Sequence, residues 1–425
     1  MKEPRCFRYF VGLSILFYSC LGFSQIPSNS NPIADLLDSL YSERIAMLEF
    51  SKPLMPKNAR TISEFDTITK DDETLFTSRL AKLDAESPFD LVYNNYVKNF
   101  INLYAYRKRD AVSRMMGISQ LYYPMFEEVF DRYQLPVELK HLAVIESALI
   151  PYARSRVGAT GLWQFMYPTG KHLGLRINSY IDERCDPYKS TVAAAQYLKY
   201  LYDIFKDWQM VLAAYNAGPG TISRAIRRSG GKKTYWEIRP YLPQETQSYV
   251  PAFIAANYIM NHAADHGIYP SVPRKNYLQV DTVVVKQEMT FDQLSQVLDV
   301  SVEELEYFNP QYRKQIIPNG GHPLCLSNQK IAQFISNETE IYTFFQTNKS
   351  SIDSANVNAP IESTQNANKT TKHKSKSRIF HVVKRGETWA MIAKRYNVSV
   401  SKLKSWNYVG KKGLQNGKRL IIYKS

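Results

Sequence analysis

One stretch of this 425-residue chain recurs, without a gap, 98 residues further on. Val285-Lys286 aligns with Val383-Lys384, Thr290 with Thr388, Val300-Ser301-Val302 with Val398-Ser399-Val400, Leu305 with Leu403 and Asn309 with Asn407. Two aromatic pairs keep the same register, Phe291 with Trp389 and Phe308 with Trp406. An apolar run, two short amphipathic stretches and a second apolar run predict strand, helix, helix and strand in each copy. The repeat therefore assigns the end of the chain to two small α+β (βααβ) modules, at 279–328 and 379–425. Residues 346–378 between them are rich in Ser, Asn, Thr and Lys and nearly free of apolar side chains. That composition predicts a flexible, disordered linker.

The chain before the repeat has a different period. Residues 33–133 carry three amphipathic helical patterns: Ile33 to Leu48, Phe89 to Tyr104, and Leu121 to Phe130. Further helices are predicted from Val192 to Phe205 and from about Glu245 to His262. The segment VLAAYNAGPG at 211–220 reads as a helix stopped by Gly218, Pro219 and Gly220. A mainly α body reaching to about residue 270 follows.

Lys2, Arg5 and Arg8 precede an apolar run from Tyr9 to Phe23, which is too short for a comfortable membrane span. Gly22 and Ser24 supply the small residues of a cleavage site, so 1–24 read as a secretory signal peptide and Gln25 as the mature N-terminus. The expected location is periplasmic, with outer-membrane association if Cys20 carries lipid. Past the leader only Cys185 and Cys325 remain, which indicates neither a disulfide framework nor a metal site. No nucleotide-binding loop is present, so no cofactor is implied. The net charge of +15 is unevenly placed: residues 369–425 hold 16 Lys or Arg against the single acid Glu387, and the remainder is balanced. For an exported chain this basic end fits an anionic wall or membrane surface better than nucleic acid.

The stretch from Val137 to Met166 is where chemistry is legible. Leu139, Leu142, Ala143, Leu149 and Ile150 define the buried face of a helix that Pro151 would end. Glu146 lies on that face. A carboxylate in an apolar stripe must be paired, solvated in a cleft or held protonated. Burial disfavours the charged form, and a retained proton is what a general acid needs. The plainer alternative is a core-edge Glu paired with a Lys or Arg from elsewhere.

Glu146-Ser147 ending a helix, Gly161-Leu162-Trp163-Gln164 after a loop, Ala214-Tyr215-Asn216-Ala217-Gly218 before a turn and Glu245-Thr246-Gln247-Ser248-Tyr249-Val250 follow one another in order. This series resembles the signature of the lytic transglycosylases with a goose-lysozyme-like catalytic domain, over about 118–270. Asp186-Pro187-Tyr188-Lys189-Ser190-Thr191 before an Ala-rich helix extends the likeness. Residues 25–117 would then be a helical N-terminal region. Residues 379–425, with Gly386-Glu387-Thr388 and Asn407, are similar to a LysM module. In the copy at 279–328 Glu288 stands where that family has Gly, so this copy is degenerate.

The resemblance implies a mainly α lysozyme-like fold and cleavage of peptidoglycan strands between N-acetylmuramic acid and N-acetylglucosamine. Glu146 would be the sole acid/base, and Ser147 would bond to it or to substrate, or else back to its own helix. Gly161, Trp163 and Gln164 would line the sugar cleft, unless Trp163 is buried. Tyr215 and Asn216 would contact the sugar, unless Asn216 only caps its turn. Tyr249 would face the site or pack in the core. Gly386, Glu387, Thr388 and Asn407 would hold glycan in the LysM module. Two rival functions remain: a lysozyme-like hydrolase with Asp182, Glu183 or Asp186 as second carboxylate, and a non-catalytic wall-binding protein. The three acids are expected instead to cap or pair around the Cys185 loop.

Overall fold

The computed structural model describes residues 73–271, 279–345, 378–384, 386–400, 403 and 419–423. The leader 1–24, the pattern from Ile33 to Leu48, the linker up to 377 and Asn407 lie outside those residues. The chain divides into two compact units, residues 1–349 and 350–425, and each is described by itself.

The first unit begins as a helical body: α1 (Glu73–Ala85), α2 (Asn95–Asn102), α3 (Arg109–Arg132), α4 (Leu142–Ser147), α5 (Tyr167–His172), α6 (Pro187–Phe205), α7 (Trp208–Ala217), α8 (Pro219–Arg228), α9 (Tyr235–Ile238) and α10 (Gln244–His262). The apolar pattern from Phe89 predicts a helix too early. The chain stays non-helical until Asn94, whose side chain accepts from the N–H groups of Tyr96 and Val97 and starts α2. A cap of this kind decides the first turn, and apolar spacing cannot see it. Gly218 both closes α7 and opens α8, its φ of +81° being open to glycine without strain. α10 is buried along nearly its whole length and packs against α2, α7 and α4, so it is the post around which the body is built. Among the described residues no helix is long and apolar enough to cross a membrane.

The first module has the expected order. β1 (Val280–Val285) pairs antiparallel with β4 (His322–Ser327), setting Val285 opposite His322. Between them come a short pair, β2 (Met289–Thr290) with β3 (Ile316–Ile317), and the helices α11 (Phe291–Leu298) and α12 (Val302–Phe308). Thr290 and Gln293 form a reciprocal capping box at the start of α11. An added helix, α13 (Asn328–Ser336), lies against β1 and β4. The module is docked on the helical body rather than strung beside it. Ile181 belongs to the module's own core, the Asp182 N–H donates to the Gln311 carbonyl at 2.9 Å, and the Arg313 N–H donates to the Tyr180 carbonyl at 2.8 Å.

In the second unit β5 (Arg378–Val382) pairs antiparallel with β6 (Arg419–Tyr423). α14 (Trp389–Arg395) starts at Thr388, whose hydroxyl caps the Met391 N–H. Val383, Ile392, Ala393, Leu403, Leu420 and Ile422 make its small core. The fold class expected from the sequence, a mainly α body followed by small α+β modules, is the one observed.

Candidate active site

Glu146 sits one residue before the end of α4, and that end is where the motif puts it and not where the apolar pattern does. A 3₁₀ turn (Val137–His141) leads into only six α-helical residues, and the helix stops at Ser147 rather than at Pro151. Ala148 and Leu149 take left-handed backbone, φ +51° and +62°, and the Leu149 N–H reaches back to the Ala143 carbonyl at 3.1 Å. Left-handed backbone costs a non-glycine residue about 1–2 kcal/mol. Both side chains are fully buried, and that packing holds the turn in place. Gln164, on the facing loop, is likewise left-handed at φ +47°. Backbone held out of the common regions by its surroundings is a recurrent mark of working sites.

The half-buried Glu146 carboxyl is pushed up to about 8, first by burial, while the Tyr249 hydroxyl donating to its Oε1 holds it down and the charge of Glu245 raises it further. No cation contributes. The paired-Glu alternative is therefore not what the molecule contains; the group retains its proton at neutral pH. Tyr249 projects from α10 and is itself buried. Glu245 lies one helical turn before it on the same element, exposed to solvent. Sequence reading did not single out Glu245, although its i, i+4 spacing from Tyr249 puts both on one face.

The other motif residues divide into those at the site and those beneath it. The Tyr215 hydroxyl donates to the Trp163 carbonyl at 2.8 Å, and after burial the charge of Glu146 is the largest influence holding its proton on. Asn216 accepts from the Thr246 hydroxyl at 2.8 Å and reaches Glu245 with its amide at 3.5 Å, so it links α7 to α10 rather than capping its own helix. Gln164 donates to the carbonyls of Gly161 (2.8 Å) and Ala153 (3.2 Å), bracing the loop.

Of the alternatives left open by the sequence, Ser147 bonds back to its own helix and Trp163 is buried, and Gly161, expected to line the cleft, is buried against the Arg184 backbone. Ser147 is fully buried, and its hydroxyl is shared between Ala143 of its own helix (3.0 Å) and the Leu162 carbonyl (2.9 Å), so it ties α4 to the loop. Trp163 is fully buried against Phe126 and Phe130 and donates to the Thr191 hydroxyl at 3.0 Å. A Cβ on Gly161 would lie 1.8 Å from the Arg184 carbonyl oxygen, so only glycine lets the two strands of chain meet there.

The rival carboxylates are all spoken for. Asp182 makes a two-pronged pair with Arg184 (2.9 Å at each oxygen) and also meets Arg313. Burial pushes Asp182 up, but the two guanidiniums outweigh it and leave the carboxyl below its usual range. Glu183 is also pushed up by burial, yet Lys189 (2.5 Å) and Arg176 (3.0 Å) leave it lowered. Asp186 caps α6 through the Lys189 N–H at 2.9 Å.

In the second module Gly386 turns at φ +86°. The Glu387 carboxylate is taken up internally by the Lys384 N–H (2.9 Å), His381 (2.7 Å) and Arg395. Thr388 spends its hydroxyl on the α14 cap. Asn309, the repeat partner of Asn407, is fully buried and exchanges amide bonds with the Cys325 backbone at 2.8 Å.

Residues 125–238 match the family described as the transglycosylase SLT domain. Residues 279–343 match the LysM-like domain of lytic transglycosylase MltD, and residues 381–422 the LysM domain. Membrane-bound lytic murein transglycosylase D of Escherichia coli is 30% identical over 293 residues, which cover 68% of this chain and 60% of that protein. The chain thus spans less than two thirds of that relative. The soluble lytic murein transglycosylase of Escherichia coli is 31% identical over 31% of this chain and 22% of its own. The solved 70 kDa soluble lytic transglycosylase of Escherichia coli covers 56% of this chain and 43% of its own at 20% identity, with a TM-score of 0.33.

Proposed function

We propose that this chain, which carries an SLT domain, a LysM-like domain and a LysM domain, is a peptidoglycan lytic transglycosylase. The observation that carries the reading is the Glu146 carboxyl: buried, unpaired with any cation, and protonated at neutral pH beside the Tyr249 hydroxyl. Glu146 gives that proton to the glycosidic oxygen between N-acetylmuramic acid and N-acetylglucosamine. It then takes the proton of the muramoyl C6 hydroxyl as that oxygen attacks C1. The C1–leaving-group bond breaks, a 1,6-anhydro ring closes, and no water is consumed. A hydroxyl held on the same sugar has the advantage of an intramolecular nucleophile over solvent. Gln164, Tyr215, Asn216 and Tyr249 hold the sugars, with Ser147, Gly161 and Trp163 supporting them from below.

Product analysis tests the chemistry. Digested wall should yield muropeptides ending in 1,6-anhydro-N-acetylmuramic acid, unlabelled at C1 when digestion is run in heavy-oxygen water. Glu245 beside Glu146 is the observation that favours hydrolysis instead, as a second carboxylate that could activate water. Reducing, label-bearing muramic ends as the main product would establish that reading. Wall without turnover would leave only a binding protein.

The working place is the cell envelope, reached by export with the leader removed. Mass analysis of the mature protein from its native host, beginning at Gln25 or carrying lipid at Cys20, checks this. The second module and its basic surroundings anchor the chain to peptidoglycan and other anionic wall or membrane surfaces. Deleting 346–425 should release it from insoluble wall, and added salt should weaken the electrostatic part. Unchanged retention would count against the module as anchor.

A further inference from the structure

The loop that carries Gln164 is gripped from two sides. On the side of the acid, the Ser147 hydroxyl donates to the Leu162 carbonyl at 2.9 Å and the Tyr215 hydroxyl to the Trp163 carbonyl at 2.8 Å. On the far side stands Arg184. Its Nη1 donates to the carbonyls of Gly158 (3.1 Å) and Phe165 (3.0 Å), one at each end of the loop. Its own carbonyl oxygen fills the space that a Cβ on Gly161 would need. Between those points Thr160 and Phe165 exchange backbone bonds of 3.1 Å, with Gln164 left-handed beside them. A glutamine does not choose that backbone by itself, so the surroundings must impose it.

What orients Arg184 comes from the first module. A guanidinium is a rigid plane with its donors in fixed directions. Arg184 sets Nε and Nη2 on the two oxygens of Asp182, at 2.9 Å each, so the carboxylate decides where Nη1 points. Both side chains are almost wholly buried. The carboxylate is held in turn from the module: Arg313, between α12 and β3, donates to its Oδ2, and the Gln311 carbonyl accepts from the Asp182 N–H at 2.9 Å. The Arg313 N–H pins the neighbouring backbone through the Tyr180 carbonyl at 2.8 Å. An unbroken series of charge-assisted bonds thus runs from the module to both ends of the Gln164 loop.

We propose, building on the transglycosylase reading, that Arg313 is a positioning residue for the reaction. Acting through Asp182 and Arg184, it holds the loop where Gln164 meets the sugar beside Glu146. The degenerate module is then a brace for the catalytic body, a task that needs no glycan site of its own. Small displacements remote from the reacting atoms cost up to about 10²-fold in rate. Arg313 stands several bonds away from the sugar, and about a tenfold loss is expected on its removal.

Amide exchange of the full chain, followed by mass spectrometry, reads the loop without any need for turnover. Arg313 is more than a third exposed, so Arg313→Gln leaves no buried hole. In that variant the peptide spanning 158–166 should exchange about tenfold faster than in wild type, while α10 keeps its protection. With soluble glycan strands the same variant should lose about tenfold in kcat and hold KM within about twofold, because sugar still binds but is misaligned. Arg313→Lys, which returns a cation to Asp182 through one donor, should recover both readouts. Unchanged exchange at 158–166, faster exchange confined to 180–182 and the module, a wild-type kcat, or a lysine variant as impaired as the glutamine one would each overturn the proposal. Wild-type protein that turns over no glycan would count against the enzymatic reading, and exchange at 158–166 would still decide whether Arg313 holds the loop.

Discussion

Two sets of carboxylates in one helical body meet opposite fates. Glu146 is buried with a hydroxyl and no cation, so its proton stays to about pH 8. Asp182 and Glu183 are buried too, yet each faces two basic side chains and is driven the other way. Burial alone does not make an acid catalytic; what decides is whether the buried group is offered a counter-charge. The first arrangement costs stability to keep a proton available. The second ties the Cys185 loop to Arg184 and docks a module through Arg313.

The largest expected effect is at Glu146. Glu146→Gln should reduce wall lysis by about 10³-fold or more, the loss of general acid and base together, with folding intact. Residual activity within a few fold of wild type would erase the contrast between the two sets.

Asp182→Asn should do the reverse, acting first on stability. Breaking one side of a buried pair costs about 3–5 kcal/mol, here with two guanidiniums left unmatched. Denaturant unfolding of the variant should show that loss. A change below about 1 kcal/mol, the size of an exposed pair, would show that the cluster is only surface decoration.

The retained proton also predicts a slope. The native Glu146 titrates at about 8, whereas its ordinary value is 4.5. Between those values the folded chain holds a proton that the unfolded chain has released. Wild-type stability therefore contains a contribution present below pH 4.5 and lost as pH rises toward 8. Glu146→Gln removes it, so the variant should gain on wild type across that window when melting is followed against pH. Parallel curves would mean that Glu146 is ordinary.

The smallest effect isolates Tyr249. Its hydroxyl donates to the ionised carboxylate and so lowers the Glu146 pKa. Tyr249→Phe should move the alkaline limb of the kcat/KM profile upward by about one pH unit, whatever it does to the rate. A limb that stays put, or moves down, would break the link.

Much of this was legible in the chain. The apolar register of Leu139, Leu142 and Ala143 placed Glu146 on a buried face, and the family resemblance implied which loops would lie near it. The ungapped repeat gave strand, helix, helix and strand for the first module, whereas the caps at Thr290 and Thr388 came from the structure. The same local signals misplaced the end of α4, because nothing in Ala148-Leu149 favours left-handed backbone. They also left open whether Ser147 and Trp163 would face the cleft or the core, since a motif marks residues that matter without saying which side of the loop they support.

The sequence by itself determined that Glu146 lies on an apolar face, the period of each segment and the charge of the tail, because these depend on side-chain chemistry and on spacing within one element. Only the tertiary structure decided that Ala148 and Leu149 would bear strain, that Tyr249 and Glu245 would face Glu146 from α10, that Asp182 would be shared, and that Ile181 would enter the module's core. Each of these is a choice of partner between segments far apart in the chain. Periodicity reports that a face is buried; it carries no information about what buries it.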